Sequence, residues 1–349
     1  MRAVVVHGAG DLRVEERPDP QPGPGEVLLA LEWGGICGSD LAYWRHGASG
    51  TAQLEHPLVL GHEVAGTVAA LGPDVTGVEV GRAVTVHPAT LVGEGDLPAR
   101  IAGRTNLWPQ VRYFGSAAFD PHTDGGFSQF RTVRSDQLRF LPEGVDTLRG
   151  ALAEPLAVAM HAVGRAGSLA GRDVLVNGAG PIGSLVVAAA VHAGAASVTA
   201  ADVSPAALRV AAAMGARSVL DLSAGAVLPA DVELVFEASG AAAALGGVLR
   251  ATARGGTLVQ VGNLPGGAVQ AVLGDLVTRE ITWIGSYRFV EEIDDALVAL
   301  AEGLDVMPVV SHRFAMADAA EAFAVMGDRS SGSSKVVLRL DGKPVEDAS

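Results

Sequence analysis

The sequence predicts an α/β fold of two domains, a β-rich first part and a doubly wound parallel sheet. Length and composition carry the first step, since 349 residues at 49% hydrophobic exceed what one compact core usually takes and suffice for two. The texture then changes near Gly150, from short β-branched runs broken by Gly and Pro to strand-like runs alternating with Ala-rich helical segments. The third observation is the stretch Asn177-Gly178-Ala179-Gly180-Pro181-Ile182-Gly183, set between an apolar run at 173–176 and a long Ala/Val-rich segment.

The elements follow in chain order. Residues 3–6, 27–31, 64–69 and 83–86 read as strands of a mostly β domain with irregular loops. Residues 173–176, 197–201, 233–236, 257–261 and 281–284 read as strands of a parallel sheet, because helical segments suited to crossovers separate them. Past Arg288 come helices over 291–302 and 318–326 and a terminal strand over 335–340. The expected division is a first domain of residues 1–149, to which 288–349 return, and a nucleotide domain of residues 150–287.

In the glycine stretch, Gly178 permits the tight turn off the strand, Gly180 lets the backbone approach a pyrophosphate, and Gly183 lets the helix pack closely on the sheet. Pro181 and Ile182 open that helix, whose exposed N–H groups would carry the pyrophosphate. A second strand-like run ends at Asp202, about 20 residues on, where a carboxylate accepts hydrogen bonds from an adenosine ribose. That acid favours NAD over NADP, since a 2′-phosphate would meet like charge, with nearby Arg209 softening the discrimination. A ligand-free glycine-rich turn is the plainer alternative.

Upstream, Cys37-Gly38-Ser39-Asp40 and Gly61-His62-Glu63 offer a thiolate, an imidazole and carboxylates, all donors that zinc accepts. Cys37 is the sole cysteine, which excludes an intramolecular disulfide, and a metal would hold it as thiolate. Glu154, beside Pro155, adds a carboxylate near the expected domain junction; favouring a helix N-terminus is its other use. A net charge of −14 with no Lys/Arg-rich run argues against nucleic acid or an anionic membrane as partner. The most apolar stretch, 182–196, is interrupted by Ser184, His192 and Gly194, so no membrane span is expected. The chain opens on a strand-like run rather than a signal peptide, and the expected location is cytoplasmic.

Gly35-Ile36-Cys37-Gly38-Ser39-Asp40, Gly61-His62-Glu63-Val64-Ala65-Gly66, Glu154-Pro155-Leu156, the nucleotide loop and Ser331-Gly332-Ser333-Ser334-Lys335 form an ordered set. Across essentially the whole chain it resembles the zinc-dependent medium-chain alcohol dehydrogenases, in the polyol branch that includes sorbitol and L-idonate 5-dehydrogenases. Phe114-Gly115-Ser116-Ala117, Pro121-His122, Gly125-Gly126-Phe127 and Tyr287-Arg288-Phe289 look most like the L-idonate enzymes. The resemblance implies a GroES-like β-barrel catalytic domain beside a Rossmann domain. It implies Cys37, His62, Glu63 and Glu154 as ligands of one catalytic zinc, with Asp40 accepting a hydrogen bond from the His62 ring. Ser39 would take the substrate hydroxyl proton as hydride passes to the nicotinamide. Arg209, Val261 and Gly262 join the cofactor site, and Tyr43, Phe114 and Arg288 the substrate site. Ser39 reads equally as a turn residue, Tyr43 as a core aromatic and Arg288 as a surface cation.

The reaction expected is oxidation of L-idonate to 5-ketogluconate. The alternatives are a sorbitol-type polyol, a cyclitol or an amino-cyclitol; a zinc-free reductase and a redox-silent NAD-binding protein are more distant rivals. Two departures from the branch stand out. The lobe over 88–113 lacks the four cysteines of a structural zinc, with Arg100 and Trp108 standing where two of them would be, so Leu97, Ile101, Leu107 and Trp108 would have to order it. Ala42 replaces a histidine that passes the substrate proton to solvent, which leaves water, ribose hydroxyls or His46 for that task. Relatives form dimers or tetramers, often through strands near 281–285, and a homodimer or homotetramer is expected.

Overall fold

The computed structural model describes residues 1–345, and by its contacts the chain divides into two units. One holds Met1–Glu154, Ile293–Glu302 and the chain from Val310; the other holds Pro155–Glu292 and Gly303–Val309. The first junction thus falls five residues beyond the expected 149/150, in the opening turn of a helix. The return begins at Ile293 rather than 288, and a seven-residue segment, Gly303–Val309, packs with the nucleotide unit.

The chain opens with β1 (Arg2–Gly8), β2 (Asp11–Glu16), β3 (Glu26–Gly35), α1 (Gly38–His46), β4 (Ala48–Ser49), β5 (Ala52–Gln53) and β6 (Leu58–Val59). It continues through β7 (Glu63–Leu71), β8 (Ala83–Val86), β9 (Ala89–Leu91), β10 (Val111–Tyr113), β11 (Phe130–Arg134) and β12 (Leu138–Phe140) to α2 (Thr147–Ala151) and α3 (Ala153–Arg165). The second unit carries β13 (Asp173–Asn177), α4 (Pro181–His192), β14 (Ser197–Asp202), α5 (Pro205–Ala213), β15 (Ser218–Asp221) and β16 (Val232–Glu237). It adds α6 (Leu245–Ala251), β17 (Thr252–Gln260), α7 (Gly274–Thr278) and β18 (Thr282–Gly285), after which α8 (Glu292–Ala301), β19 (Val310–Ala315), α9 (Ala319–Gly327) and β20 (Lys335–Arg339) follow.

In the first unit the main sheet runs β12-β8-β7-β3-β20-β19, with β11 also paired to β3, and a second sheet runs β2-β1-β6. Alternation builds it: Val27, Leu29, Leu31 and Trp33 of β3 are buried in turn, as a period of two demands of a sheet with one face on a core. Val27, Leu29 and Leu31 pack with Ile36, Phe127, Phe323 and Leu338, so residues from both ends of the chain share one core. The register of β3 against β7 sets Gly35 opposite Glu63. A Cβ at Gly35 would lie 2.1 Å from Glu63 Oε2, so only glycine leaves that carboxylate its place.

The second unit is an all-parallel sheet in the order β15-β14-β13-β16-β17-β18. The chain runs outward from β13 in both directions, which puts the switch point of this doubly wound fold at the carboxyl ends of β13 and β16. Leu175, Val235, Val248 and Leu258 fill its core. The sheet has one strand more than the sequence suggests, β15, and β17 starts at Thr252 rather than 257. Among the described residues no helix is long and apolar enough to cross a membrane.

Candidate metal centre and cofactor site

Cys37 stands at the N-cap of α1 and His62 and Glu63 at the entry to β7, and ligand atoms of these three lie within 4.8 Å of one another. Asp40, fully buried one helical turn on, joins their two segments: Oδ2 accepts from Cys37 N–H at 2.9 Å and Oδ1 from Gly61 N–H at 3.0 Å. This corrects the expected bond from the His62 ring. Asp40 orients His62 through the backbone before it, and interacts with the imidazole as a charge. Burial pushes the Asp40 carboxyl up, against the pull of His62 and the two N–H donors.

Burial also disfavours a charged imidazole at His62. The charge and hydrogen bond of Cys37 outweigh it, with Asp40 and Glu154 adding to them, and the His62 pKa is pushed up to about 10. Glu154 is buried in the opening of α3, and the Tyr113 hydroxyl donates to its Oε1 at 2.6 Å while the Tyr113 ring meets His62 edge-on at 5.6 Å. Burial raises the Glu154 carboxyl, and the neighbouring Glu63 adds to this, while His62 and Tyr113 oppose it. Lys335 at the start of β20 donates to Glu63 Oε1 at 2.7 Å, to Oε2 at 2.8 Å and to Ile36 O at 3.2 Å. Its own burial would strip its proton, but Glu63, Cys37 and Glu154 hold its pKa above the ordinary lysine value.

Cys37, Asp40, Glu63 and Glu154 therefore crowd acidic groups into one largely buried region, with His62 and Lys335 as the cations among the described residues that act on it. Such a donor set fits a soft-to-borderline dication, which would supply the missing positive charge and displace the His62 proton. Tyr113→Phe removes a charge-assisted bond inside this cluster. We expect it to lower stability by about 1.5–3 kcal/mol in denaturant unfolding, and an unchanged midpoint would show that Glu154 does not depend on the phenol.

At the switch point the glycine loop is held in close backbone contacts. Gly178 takes φ 94°, and a Cβ there would lie 2.4 Å from Ser239 N; a Cβ at Gly183 would lie 1.8 Å from Gly178 O. At Gly180, by contrast, a Cβ would meet nothing within 4 Å, so this residue, the N-cap of α4 ahead of Pro181 and Ile182, borders open space. Asp202 closes β14, its Oδ2 accepting from Ala179 N–H at 2.6 Å and its Oδ1 from Ser204 N–H at 2.8 Å. Arg209 is exposed on α5, and Val261 and Gly262 follow β17 with both N–H groups on Glu237 O.

A family profile described as alcohol dehydrogenase GroES-like domain matches residues 23–143, and one described as zinc-binding dehydrogenase matches residues 181–302. Sorbitol dehydrogenase of Gallus gallus is 37% identical over 350 residues, covering 97% of this chain and 96% of its own length. The chain belongs to the zinc-dependent medium-chain dehydrogenases, in their polyol branch. L-idonate 5-dehydrogenase (NAD(P)(+)) of Escherichia coli K12 is 36% identical over 310 residues, covering 87% of this chain and 89% of its own length. A crystal structure of L-idonate 5-dehydrogenase from E. coli K-12 superposes with a TM-score of 0.89 at 34% identity, covering 97% of this chain and 98% of that one.

Of the three substrate candidates of this dehydrogenase, Tyr43 and Phe114 share the core of one unit and Arg288 belongs to the other. Tyr43 is buried, its ring in the core and its hydroxyl accepting Ala117 N–H at 2.9 Å, so the core-aromatic alternative describes its surroundings. Phe114 is buried too, with the Arg131 guanidinium 4.9 Å over its ring. Arg288 belongs to the other unit, on a left-handed backbone of φ 51°, its guanidinium 4.9 Å over Tyr287. Ser39 is half-buried in the first turn of α1, and His46 is exposed at its last. In the lobe, Leu97, Ile101, Leu107 and Trp108 are all only half-buried. Pairing of β9 with β10 and the Trp108 Nε1 bond to Val92 O at 2.8 Å add to whatever those side chains contribute.

Three residues escaped sequence reading. Lys335 appeared only at the end of a motif and the start of a strand, Tyr113 only as the boundary of the lobe over 88–113, and Glu237 lay just past the strand expected over 233–236. A charged residue at the end of an otherwise apolar run, as Glu237 is at the close of β16 and Lys335 is at the start of β20, is the signal that could have singled two of them out.

Proposed function

We propose that this dehydrogenase oxidises a secondary hydroxyl of a polyol or sugar acid with NAD as hydride acceptor, and that its substrate is L-idonate, giving 5-ketogluconate. The observation that carries the reaction class is the Cys37–His62–Glu63 group, half-buried at Cys37 and buried at the other two, whose donor atoms lie within 4.8 Å of one another. Together with Glu154 these residues would hold one zinc, which as a Lewis acid would lower the pKa of a substrate hydroxyl. With Cys37 the sole cysteine, the lobe over 88–113 offers no thiolate for a second ion, and one zinc per chain is the stoichiometry that follows.

The chain's own residues do the rest. Asp40 fixes the backbone that carries Cys37 and His62, Tyr113 fixes Glu154, and Ser39 would take the hydroxyl proton at its Oγ. The N-terminus of α4 and the open face at Gly180 favour the cofactor's pyrophosphate, and Asp202 favours NAD over NADP through the adenosine ribose. Arg209, Val261 and Gly262 would border that cofactor. Arg288 would pair a sugar-acid carboxylate bidentately; its left-handed backbone supports a functional reason for its position. Tyr43 and Phe114 would bound the substrate as buried ring surface. Relatives named sorbitol dehydrogenase favour an uncharged polyol as the second reading. A cytoplasmic homodimer or homotetramer, joined through the outer edge of β18, completes the reading.

The test is NADH formation by zinc-replete protein on L-idonate, sorbitol, xylitol, D-gluconate and inositols. We expect strong preference for L-idonate, reduced selectively by Arg288→Ala. Turnover only of uncharged polyols or cyclitols would remove the sugar-acid assignment and keep the dehydrogenase, whereas NADH binding without turnover of any of them would favour a redox-silent role.

A further inference from the structure

The second unit holds a carboxylate that neither the hydride transfer nor the ribose requires. Glu237, the last residue of β16, is fully buried. Its side chain accepts from Ser239 N–H at 2.9 Å, Gly240 N–H at 3.2 Å, Asn177 Nδ2 at 3.3 Å and Gln260 Nε2 at 2.6 Å, and also from the Ser239 hydroxyl. Its carbonyl oxygen accepts Val261 N–H at 2.8 Å and Gly262 N–H at 2.9 Å. These donors come from the carboxyl ends of three adjacent strands, β13, β16 and β17, which flank the switch point of the sheet.

The glycines there require the same contact. A Cβ at Gly178 would lie 2.4 Å from Ser239 N, and one at Gly262 would lie 2.2 Å from Gly240 N, so the three strand-end loops are packed backbone to backbone. No ion pair of Glu237 with a cation occurs among the described residues, and neutral donors alone hold its charge. A carboxylate supplies the four lone-pair directions that such a convergence demands, whereas an amide supplies half of them and faces the remaining donors with N–H.

We propose that Glu237 is a positioning residue for the dinucleotide. By tying the loops after β13, β16 and β17 into one rigid floor, it presets the glycine turn and the Val261–Gly262 backbone for the cofactor. This rests on the NAD reading above. The cost of ordering those loops is then met in folding rather than in binding, and the effect belongs to cofactor affinity rather than to the chemical step.

The experiment is NADH binding by fluorescence titration, with zinc content and steady-state kinetics measured alongside. Glu237→Gln should weaken NADH at least tenfold and raise KM for NAD similarly. It should leave zinc content, KM for the alcohol and kcat at saturating NAD within about twofold of the parent. Gln260→Leu, which removes one donor and spares the carboxylate, should weaken NADH several-fold with the same split, and it decides the matter if the first variant does not fold. NADH affinity within twofold of the parent in the folded variant would overturn the proposal, as would a fall in kcat equal to the rise in KM. Failure of the parent protein itself to bind NADH would overturn the cofactor reading and this inference with it.

Discussion

Replacing Lys335 by Met should destabilise the metal-free protein by about 3–5 kcal/mol, the range for removing one partner of a buried ion pair. Lys335 and Glu63 keep only 2% and 1% of their side-chain surface, so no solvent takes over when the ammonium is lost. The methionine fills most of the lysine's volume, and the loss is therefore electrostatic rather than a cavity effect. It is compounded by Cys37, Asp40 and Glu154, all close enough to act on this cluster's charges. Urea unfolding of the single variant and of Lys335→Met with Glu63→Gln tests the cause. The double variant should recover much of the loss, because the stranded carboxylate has gone with its partner. Additive losses would mean that Lys335 contributes through packing alone.

The same pair shows where sequence reading stops. Glu63 and Lys335 stand 272 positions apart and meet only because β20 returns to pair with β3, which also pairs with β7. No local period encodes that return, so Lys335 was legible as a motif residue and not as a counter-ion. What the period does encode was legible: the alternation in β3, and the apolar runs of β13, β14 and β16, which are buried and bounded by turns. In the parallel sheet the strand that escaped, β15, lies at the edge with two of its four residues exposed, and a half-solvated strand of that length carries no pattern to read. Cys37, His62 and Glu63 were legible as metal-compatible donors because their chemistry is uncommon in an apolar context, and packing gathers their ligand atoms within 4.8 Å of one another. Asp40 was legible as a neighbour of Cys37, but its partner Gly61 lies 21 positions on and was settled by packing.

Stripping the metal should abolish turnover while sparing the cofactor. Treatment with a strong chelator, or Cys37→Ala, is expected to lower kcat/KM by roughly a thousandfold or more, because Lewis-acid stabilisation of charge on a substrate oxygen accounts for several kcal/mol and each 1.36 kcal/mol is a factor of ten. NADH affinity should change little, since Gly178, Gly180, Gly183 and Asp202 belong to a unit with its own hydrophobic core. Added zinc should restore the chelated parent and not the variant, which lacks the thiolate. The metal-free parent should not collapse, because Lys335 still neutralises Glu63 and the Tyr113 hydroxyl still holds Glu154. Removing the ion thus separates two properties that the sequence places in different domains. Turnover that survives complete metal removal would sink the zinc mechanism outright, and loss of NADH binding in step with the metal would contradict the independence of the two sites.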